Sequence, residues 1–208
     1  MESWHQCMAS ECGRRASDDH VRCISCTAHL KRQALAVVKE IRSNAVVAYV
    51  GRSNSPERRL LQHFTGQGVS KTVRKHPQQR DRLSVIHWTG SWREAAMVED
   101  HLIKHSSAKP GLADLLNSPA EGWGRFSGPW NCVYVNWAAK DEYVSTGILE
   151  VNHLLWPLVA PSELARTDFV VGPRLRESGA AGAELAHLDD RRSRFHLEIE
   201  AARARSRD

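Results

Sequence analysis

Apolar residues in this chain gather in short runs separated by polar, glycine-containing breaks. Val46–Gly51 (VVAYVG) is β-branched and aromatic and closes on glycine, which predicts a strand. Leu83–Thr89 (LSVIHWT) and Asn131–Trp137 (NCVYVNW) have the same character and predict two more. Between the first two, Ser55 reads as an N-cap and Pro56 as the first residue of a helix. That helix runs to about Phe64, where Thr65-Gly66-Gln67-Gly68 stops it. Ser91-Trp92-Arg93-Glu94 has the capping-box spacing, with Glu94 reaching back. The helix it opens carries Ala95, Ala96, Val98, Leu102 and Ile103 and runs to about His105, before Pro110-Gly111. Leu112–Leu116 reads as one further turn leading to Asn117.

The flanks are less definite. His29–Lys39 begins as a short helix, yet Ala36–Ile41 could equally be the first strand. Val69–Arg82 is polar and basic, a loop or a short helix flanked by loop. Gly122–Trp130 reads as an irregular loop. Ile148–Leu158 reads as an apolar helix stopped near Pro157. Arg174–Asp208 reads as mostly helical, with Leu185, Leu188, Phe195 and Ile199 near heptad spacing and Arg192 interrupting the seam.

Charge changes this picture in one place. The net charge is +5, but Arg52 to Arg82 holds eight Lys/Arg against two acids. The remainder is close to neutral, so the excess is a local basic block suited to a polyanion. A solvated face is the ordinary alternative. No apolar run approaches the roughly 18–20 residues that span a bilayer, and the first residues lack the apolar core of a signal peptide. The expected setting is the cytoplasm or nucleoid, where cysteines are reduced or metal-bound.

Four of the five cysteines lie near the start, as Cys7-x4-Cys12-x10-Cys23-x2-Cys26. Zinc takes four soft ligands in a tetrahedron, and two short-spaced pairs can each supply two of them. Gly13, directly after Cys12, suits a tight knuckle. The alternatives are disulfides, which conflict with the expected compartment, or four unrelated thiols. A closed four-thiolate site leaves no open position for catalysis, so its expected role is folding or docking. Cys132 lies in an apolar run and reads as a core residue.

The polar residues that these elements carry form a pattern. Tyr49 lies in the strand that ends in Gly51; Arg59 and His63, four apart, share one helical face; Glu99 sits among apolar positions of its helix; Asn117 follows. A carboxylate among apolar residues is costly unless paired or on a metal. Taken one at a time, each has an ordinary structural reading. In this order they resemble the GIY-YIG nuclease family. Tyr49-Val50-Gly51 is similar to its YIG half, the functional arginine falls at Arg59, and His63 stands at its Tyr/His position. Glu99-Asp100-His101-Leu102-Ile103-Lys104 is similar to its Glu-x-x-Leu-Ile-Lys stretch, and Asn117 to its asparagine. The resemblance covers about Val37 to Trp137.

The resemblance implies an α+β fold: a small, three-stranded, mainly antiparallel sheet flanked by helices. The expected organisation is a four-cysteine zinc module at 1–32, the nuclease-like domain at 33–138 and a mostly helical extension at 139–208. The implied activity is hydrolysis of DNA phosphodiesters, with Glu99 holding Mg2+ or Mn2+, Arg59 facing the phosphate, Tyr49 and His63 handling the water, and Asn117 positioning. The basic residues Arg52, Lys71, Arg74, Lys75 and Arg80 are the expected contacts to flanking phosphates. Trp88, Trp92, Trp123 and Trp130 could stack on bases, though core packing is the ordinary role for most of them. The C-terminal helices could pair with a second copy or another protein. In the family a further tyrosine precedes Tyr49; here Lys39 stands ten residues before it and no tyrosine lies upstream. Three readings follow: Lys39 with a lowered pKa does its work, or Tyr49, His63 and the metal suffice, or the domain binds DNA without cutting it. An adaptor built on the zinc module and C-terminal helices is the remaining alternative, and it predicts no salt-dependent DNA affinity.

Overall fold

The computed structural model describes residues 4–7, 12–17, 22–67, 80–106, 111–117, 131–140, 148–150, 167–171 and 180–188. The elements in chain order are β1 (Trp4–Gln6), β2 (Arg15–Ser17), α1 (Ile24–Ser43), β3 (Ala45–Ser53), α2 (Pro56–Thr65), β4 (Arg82–Thr89), α3 (Trp92–His105), β5 (Asp114–Leu115), β6 (Asn131–Ala139), β7 (Ile148–Glu150) and β8 (Thr167–Val170). A last short helix, α4, spans 181–188.

The three expected strands form the centre of one α+β sheet, ordered β3-β6-β4 and antiparallel throughout. The sheet extends beyond three. At one side β8 pairs antiparallel with β4, and β7 lies parallel to β8. At the other, β5 adds two residues parallel to β3. Leu112–Leu116 is therefore not a helical turn, and Ile148–Glu150 is strand where a helix is expected. The rest of that expected helix, 151–158, lies outside the described residues. The expected helix at 174–208 is described only at 180–188.

Helices cover both faces. On one, α1 and α3 pack Leu30, Ala34, Val38, Ile41, Val98 and Leu102 over Ala48, Val50, Val133, Val135 and Trp137. On the other, Leu60 of α2 meets Tyr49, Leu83, Val85, Cys132 and Tyr134. The next residue, Leu61, turns outward and packs on Ala181 and Leu185 of α4. Alternating residues of β3 serve opposite faces, as a pleated strand dictates, so Ala48 and Val50 face α1 and α3 while Tyr49 faces α2. Gly66, with φ of 73°, ends α2 in the left-handed conformation.

The ambiguous region upstream of β3 is one continuous helix. Its buried stripe is Leu30, Ala34, Val38 and Ile41, at helical spacing. The boundary drawn at residue 32 thus falls in mid-helix, and the cysteine-bearing start and the sheet share α1. At its C-terminal end Arg42 is buried and donates from Nε to the carbonyl of Ala113 at 2.6 Å and from Nη1 to that of Ser106 at 2.8 Å. Those bonds tie the residue that caps the end of α3 and the residue before β5 to the end of α1.

Ser91 caps α3 as expected: its Oγ accepts from the Glu94 amide at 3.3 Å. Glu94 does not reach back. Its carboxylate is buried and meets His87 Nε2 at 2.6 Å and Arg22 Nε at 3.1 Å. One carboxylate therefore ties β4, α3 and the cysteine-bearing segment together. Burial works against its charge, but the hydrogen bond from His87 and the Arg22 cation bring its pKa below the ordinary carboxylate value.

A buried charge that loses its partner is costly, so Glu94→Ala is expected to lower stability by about 3 kcal/mol at pH 7, read as a shifted urea midpoint. The folded pKa lies below 4.5, so this contribution is present above that pH and is lost as pH falls through the folded value. The gap between wild type and variant should narrow in acid. Equal midpoints at pH 7 would show that the network contributes nothing.

Candidate active site

The pairing of β3 with β6 sets the site. Gly51 lies directly opposite Tyr134, so both face the same side of the sheet. A Cβ on residue 51 would come within 2.5 Å of the Tyr134 hydroxyl and 2.9 Å of Tyr49 Cε1. Glycine is required there because a phenol occupies the space a side chain would fill. Tyr49, His63 and Tyr134 pack as three rings around this gap, with Tyr49–His63 centroids 5.0 Å apart and His63–Tyr134 centroids 5.9 Å apart.

Arg59 and His63 project from one face of α2 and meet at the same atom. Arg59 Nε donates to Tyr134 Oη at 3.0 Å, and His63 Nε2 lies 3.1 Å from it. Arg59 Nη1 also donates to Gln62 Oε1 at 3.0 Å. The tyrosine hydroxyls, Tyr134 foremost, hold Arg59 firmly charged against the cost of its burial. His63 is 2 % exposed. Burial, with the cations of Arg59 and Arg80 beside it, pushes its pKa well below the ordinary imidazole value, so the ring is neutral at physiological pH. Among the described residues its Nδ1 has no hydrogen-bond partner.

Glu99 approaches from α3. Arg52 Nε meets its Oε2 at 2.7 Å, and its side chain keeps 20 % exposure. Burial pushes the carboxyl up to about 7, although Arg52 and, more weakly, Arg59 pull the other way. Arg59 and Glu99 therefore feel each other's charge near the end of β3. The Glu99 charge also helps hold up the Tyr134 phenol, which burial raises to about 12.

Asn117 reaches the site through the backbone. Its Oδ1 accepts from the Val50 amide at 2.8 Å, and its Nδ2 donates to the Val50 carbonyl at 2.6 Å. The side chain pairs with the edge of β3 as a further strand residue would, extending β5. Its amide is thus occupied in fixing the backbone between Tyr49 and Gly51, and any influence on a phosphate is indirect.

Other expected residues fall elsewhere. Lys39 is exposed on α1, the helix that covers the sheet face opposite Tyr49, and is not brought to the cluster. Arg52 and Arg80 are buried rather than displayed to a flanking duplex: Arg52 pairs with Glu99, and Arg80 Nε donates to Asn136 Oδ1 at 3.0 Å. Lys71, Arg74 and Lys75 lie outside the described residues, as do Trp123 and Trp130. Trp88 is a core residue, and Trp92 is half-buried. Tyr134 was not among the expected site residues. Its strand was legible, but its proximity to Arg59, 75 residues away in sequence, had no local signal.

At the other end of α1, Cys7 follows β1, Cys23 is the N-cap, and Cys26 lies in the first turn. Their Sγ atoms and that of Cys12 all lie within 4.8 Å of one another, and none is in a disulfide. Cys12 and Cys23 are 3.8 Å apart, the separation that two bonds of about 2.3 Å make at a tetrahedral ion. The Cys23 amide donates to Cys7 Sγ at 3.2 Å. The Cys26 backbone amide brings the Cys23 thiol down to about 7, whereas hydrogen bonds with Cys12 and Cys23 hold the Cys26 thiol up at about 12. Four cysteines so placed could hold a metal ion such as zinc. Among the described residues this is the one group of three or more such ligands. The cluster at Gly51 offers one carboxylate, which suits a hard cation that keeps water and substrate oxygens for its other positions.

In metal-free protein the Glu99 carboxyl is expected to titrate near pH 7 by carboxyl 13C NMR, and Arg52→Ala should move it higher. A midpoint near 4.5 in the wild type would refute the buried geometry given to α3. Among the described residues no helix is long and apolar enough to cross a membrane. No curated protein and no solved structure matches the chain. Residues 37–111, the span from α1 through the whole of α3, match the family model of the GIY-YIG catalytic domain.

Proposed function

We propose that this chain is a metal-dependent DNA endonuclease that hydrolyses phosphodiester bonds at the cluster around Gly51. One observation carries the reading. Within a segment that matches a GIY-YIG catalytic domain, Tyr49, Arg59 and His63 gather on one side of Gly51, and Glu99 lies within electrostatic reach of Arg59.

The roles follow from the state of each group. Arg59, charged and half-buried, stabilises the negative charge that builds on the phosphoryl oxygens. Tyr49 orients the attacking water or accepts its proton, and the neutral imidazole of His63, packed against the Tyr49 ring, holds that ring in place. As the water oxygen bonds to phosphorus, the bond to the leaving sugar oxygen breaks. Asn117 keeps the Tyr49–Gly51 backbone in register. Glu99 would hold Mg2+ or Mn2+, whose Lewis acidity supplies charge for the phosphate and the leaving oxygen when bound. For that, Glu99 must be ionised and must share its carboxylate with Arg52, which is held at Oε2.

The four cysteines would hold zinc as a structural ion, tying the β1–β2 pair to the start of α1. Arg22, between that site and Glu94, carries its order to β4 and α3. DNA is the proposed partner, bound chiefly by its phosphates. The adaptor alternative gains no support from the geometry, which gathers chemistry-bearing side chains of differing charge at one point rather than on an open surface.

Purified protein is expected to nick supercoiled plasmid in magnesium. Glu99→Gln should abolish nicking while leaving salt-dependent DNA binding intact, and Arg59→Ala should slow it about 100- to 1,000-fold. Nicking by the Glu99 variant at the wild-type rate would remove the metal role; binding without cutting by the wild type would leave a DNA-binding domain. Elemental analysis should find one zinc per chain, and chelation should lower the melting temperature. A zinc-free protein with an unchanged melt would reject the structural ion.

A further inference from the structure

Tyr134 is a completely buried phenol at the centre of the proposed site, and it comes from β6, beyond the segment that matches the family. Its hydroxyl has two neighbours with complementary needs. Arg59 Nε can only donate, so the phenol oxygen accepts there, at 3.0 Å. The phenol proton then needs an acceptor, and among the described residues the one within reach is Nε2 of His63, at 3.1 Å. His63 is neutral, so with its ring proton on Nδ1 its Nε2 accepts from the phenol. The chain Arg59–Tyr134–His63 is thus ordered in one direction by the chemistry of its members.

This order has a consequence for Arg59. With Nε held inside by the phenol and Nη1 held by Gln62, the guanidinium has a fixed plane. A fixed fork loses less entropy on meeting a phosphate than a free one. Gly51 is what lets the phenol reach that point, since a Cβ there would lie 2.5 Å from Oη. The tyrosine missing upstream of Tyr49 is therefore not missing from the neighbourhood of Tyr49. One stands beside it, with ring centroids 6.5 Å apart, delivered from downstream by the neighbouring strand.

We propose that Tyr134 is a positioning residue for the phosphodiester reaction, acting through Arg59 and His63, so that the working unit extends through β6. The proposal rests on the nuclease reading, and it assigns Lys39 no part in the chemistry.

The test is a cleavage assay on the full chain with Tyr134→Phe, which keeps the ring and removes the hydroxyl. The expected result is a fall in kcat of about 10- to 100-fold, with KM for DNA within about threefold of wild type. Because the hydroxyl acts through Arg59, adding Tyr134→Phe to Arg59→Ala should cost little more, whereas a purely structural loss would multiply. An unchanged kcat, or full multiplication in the double variant, overturns the proposal. Arginine 15N NMR supplies a readout free of activity: the Arg59 Nε–H should exchange slowly in wild type and quickly in Tyr134→Phe. Equal exchange in the two proteins overturns the positioning. A wild type that cuts no DNA overturns the nuclease reading, and with it the claim that the positioning serves cleavage, while the exchange rates still decide whether Tyr134 holds Arg59.

Discussion

The absence of a side chain at residue 51 is the constraint from which the site follows. Two antiparallel strands place residues 51 and 134 face to face, and the room left by glycine is taken by the Tyr134 hydroxyl. That hydroxyl fixes where Arg59 and His63 can go, which fixes how α2 lies on the sheet. Leu60 then points into the sheet and Leu61 into α4, so a single helix is held from both sides. The arrangement concentrates polar groups in a place that packing alone would fill with hydrocarbon. Each buried polar atom needs its partner, and Arg59, the Tyr134 hydroxyl and His63 Nε2 meet one another's needs here, while His63 Nδ1 has no partner among the described residues.

Electrostatics divides the site into two sides of different readiness. His63 is neutral because it is buried and sits beside arginines. Glu99 is held near its titration point, because burial raises its carboxyl while Arg52 lowers it. Since its folded pKa lies above the ordinary 4.5, its protonation stabilises the fold fully below that pH, and this contribution is lost as pH rises through about 7. A site whose carboxylate opposes folding when ionised is one where stability has been given up locally. A divalent cation would reverse that sign, and the ion pair with Arg52 limits the cost meanwhile.

Much of this was legible in the sequence, for identifiable reasons. Helix α2 announces itself through Ser55-Pro56 at its start and Gly66 at its end, and its two functional residues share a face by spacing alone. The central strands were legible by composition. Helix α1 was not, because two of the residues that define it, Ala34 and Val38, are small or β-branched, while the equally apolar Leu35 and Val37 are only partly buried and blur the stripe. Glu94 had the capping-box position, yet a buried histidine and arginine offered its carboxylate stronger partners than a backbone amide. Two-residue β5 and three-residue β7 are too short for any periodicity, and the apolar run after Ile148 supports helix and strand equally. The charge of the basic block points to phosphate contacts, but Arg52 and Arg80 turn inward to Glu99 and Asn136, which no local pattern signals.

Tyr134 shows why order along the chain is a poor guide to order in space at a sheet. A β-hairpin would have supplied the neighbour of β3 from the residues just before it, but those residues form α1, which crosses to the other face. The neighbour is instead β6, separated from β3 along the chain by α2, β4, α3 and β5. The long connection costs little in closure entropy, since each doubling of a loop adds only about 0.6 kcal/mol. Against that small cost, β6 covers β3 and β4 at once and is buried on both faces. The strand that closes the core is therefore also the strand that completes the polar cluster, so a change that weakens its pairing with β3 also displaces the hydroxyl that holds Arg59.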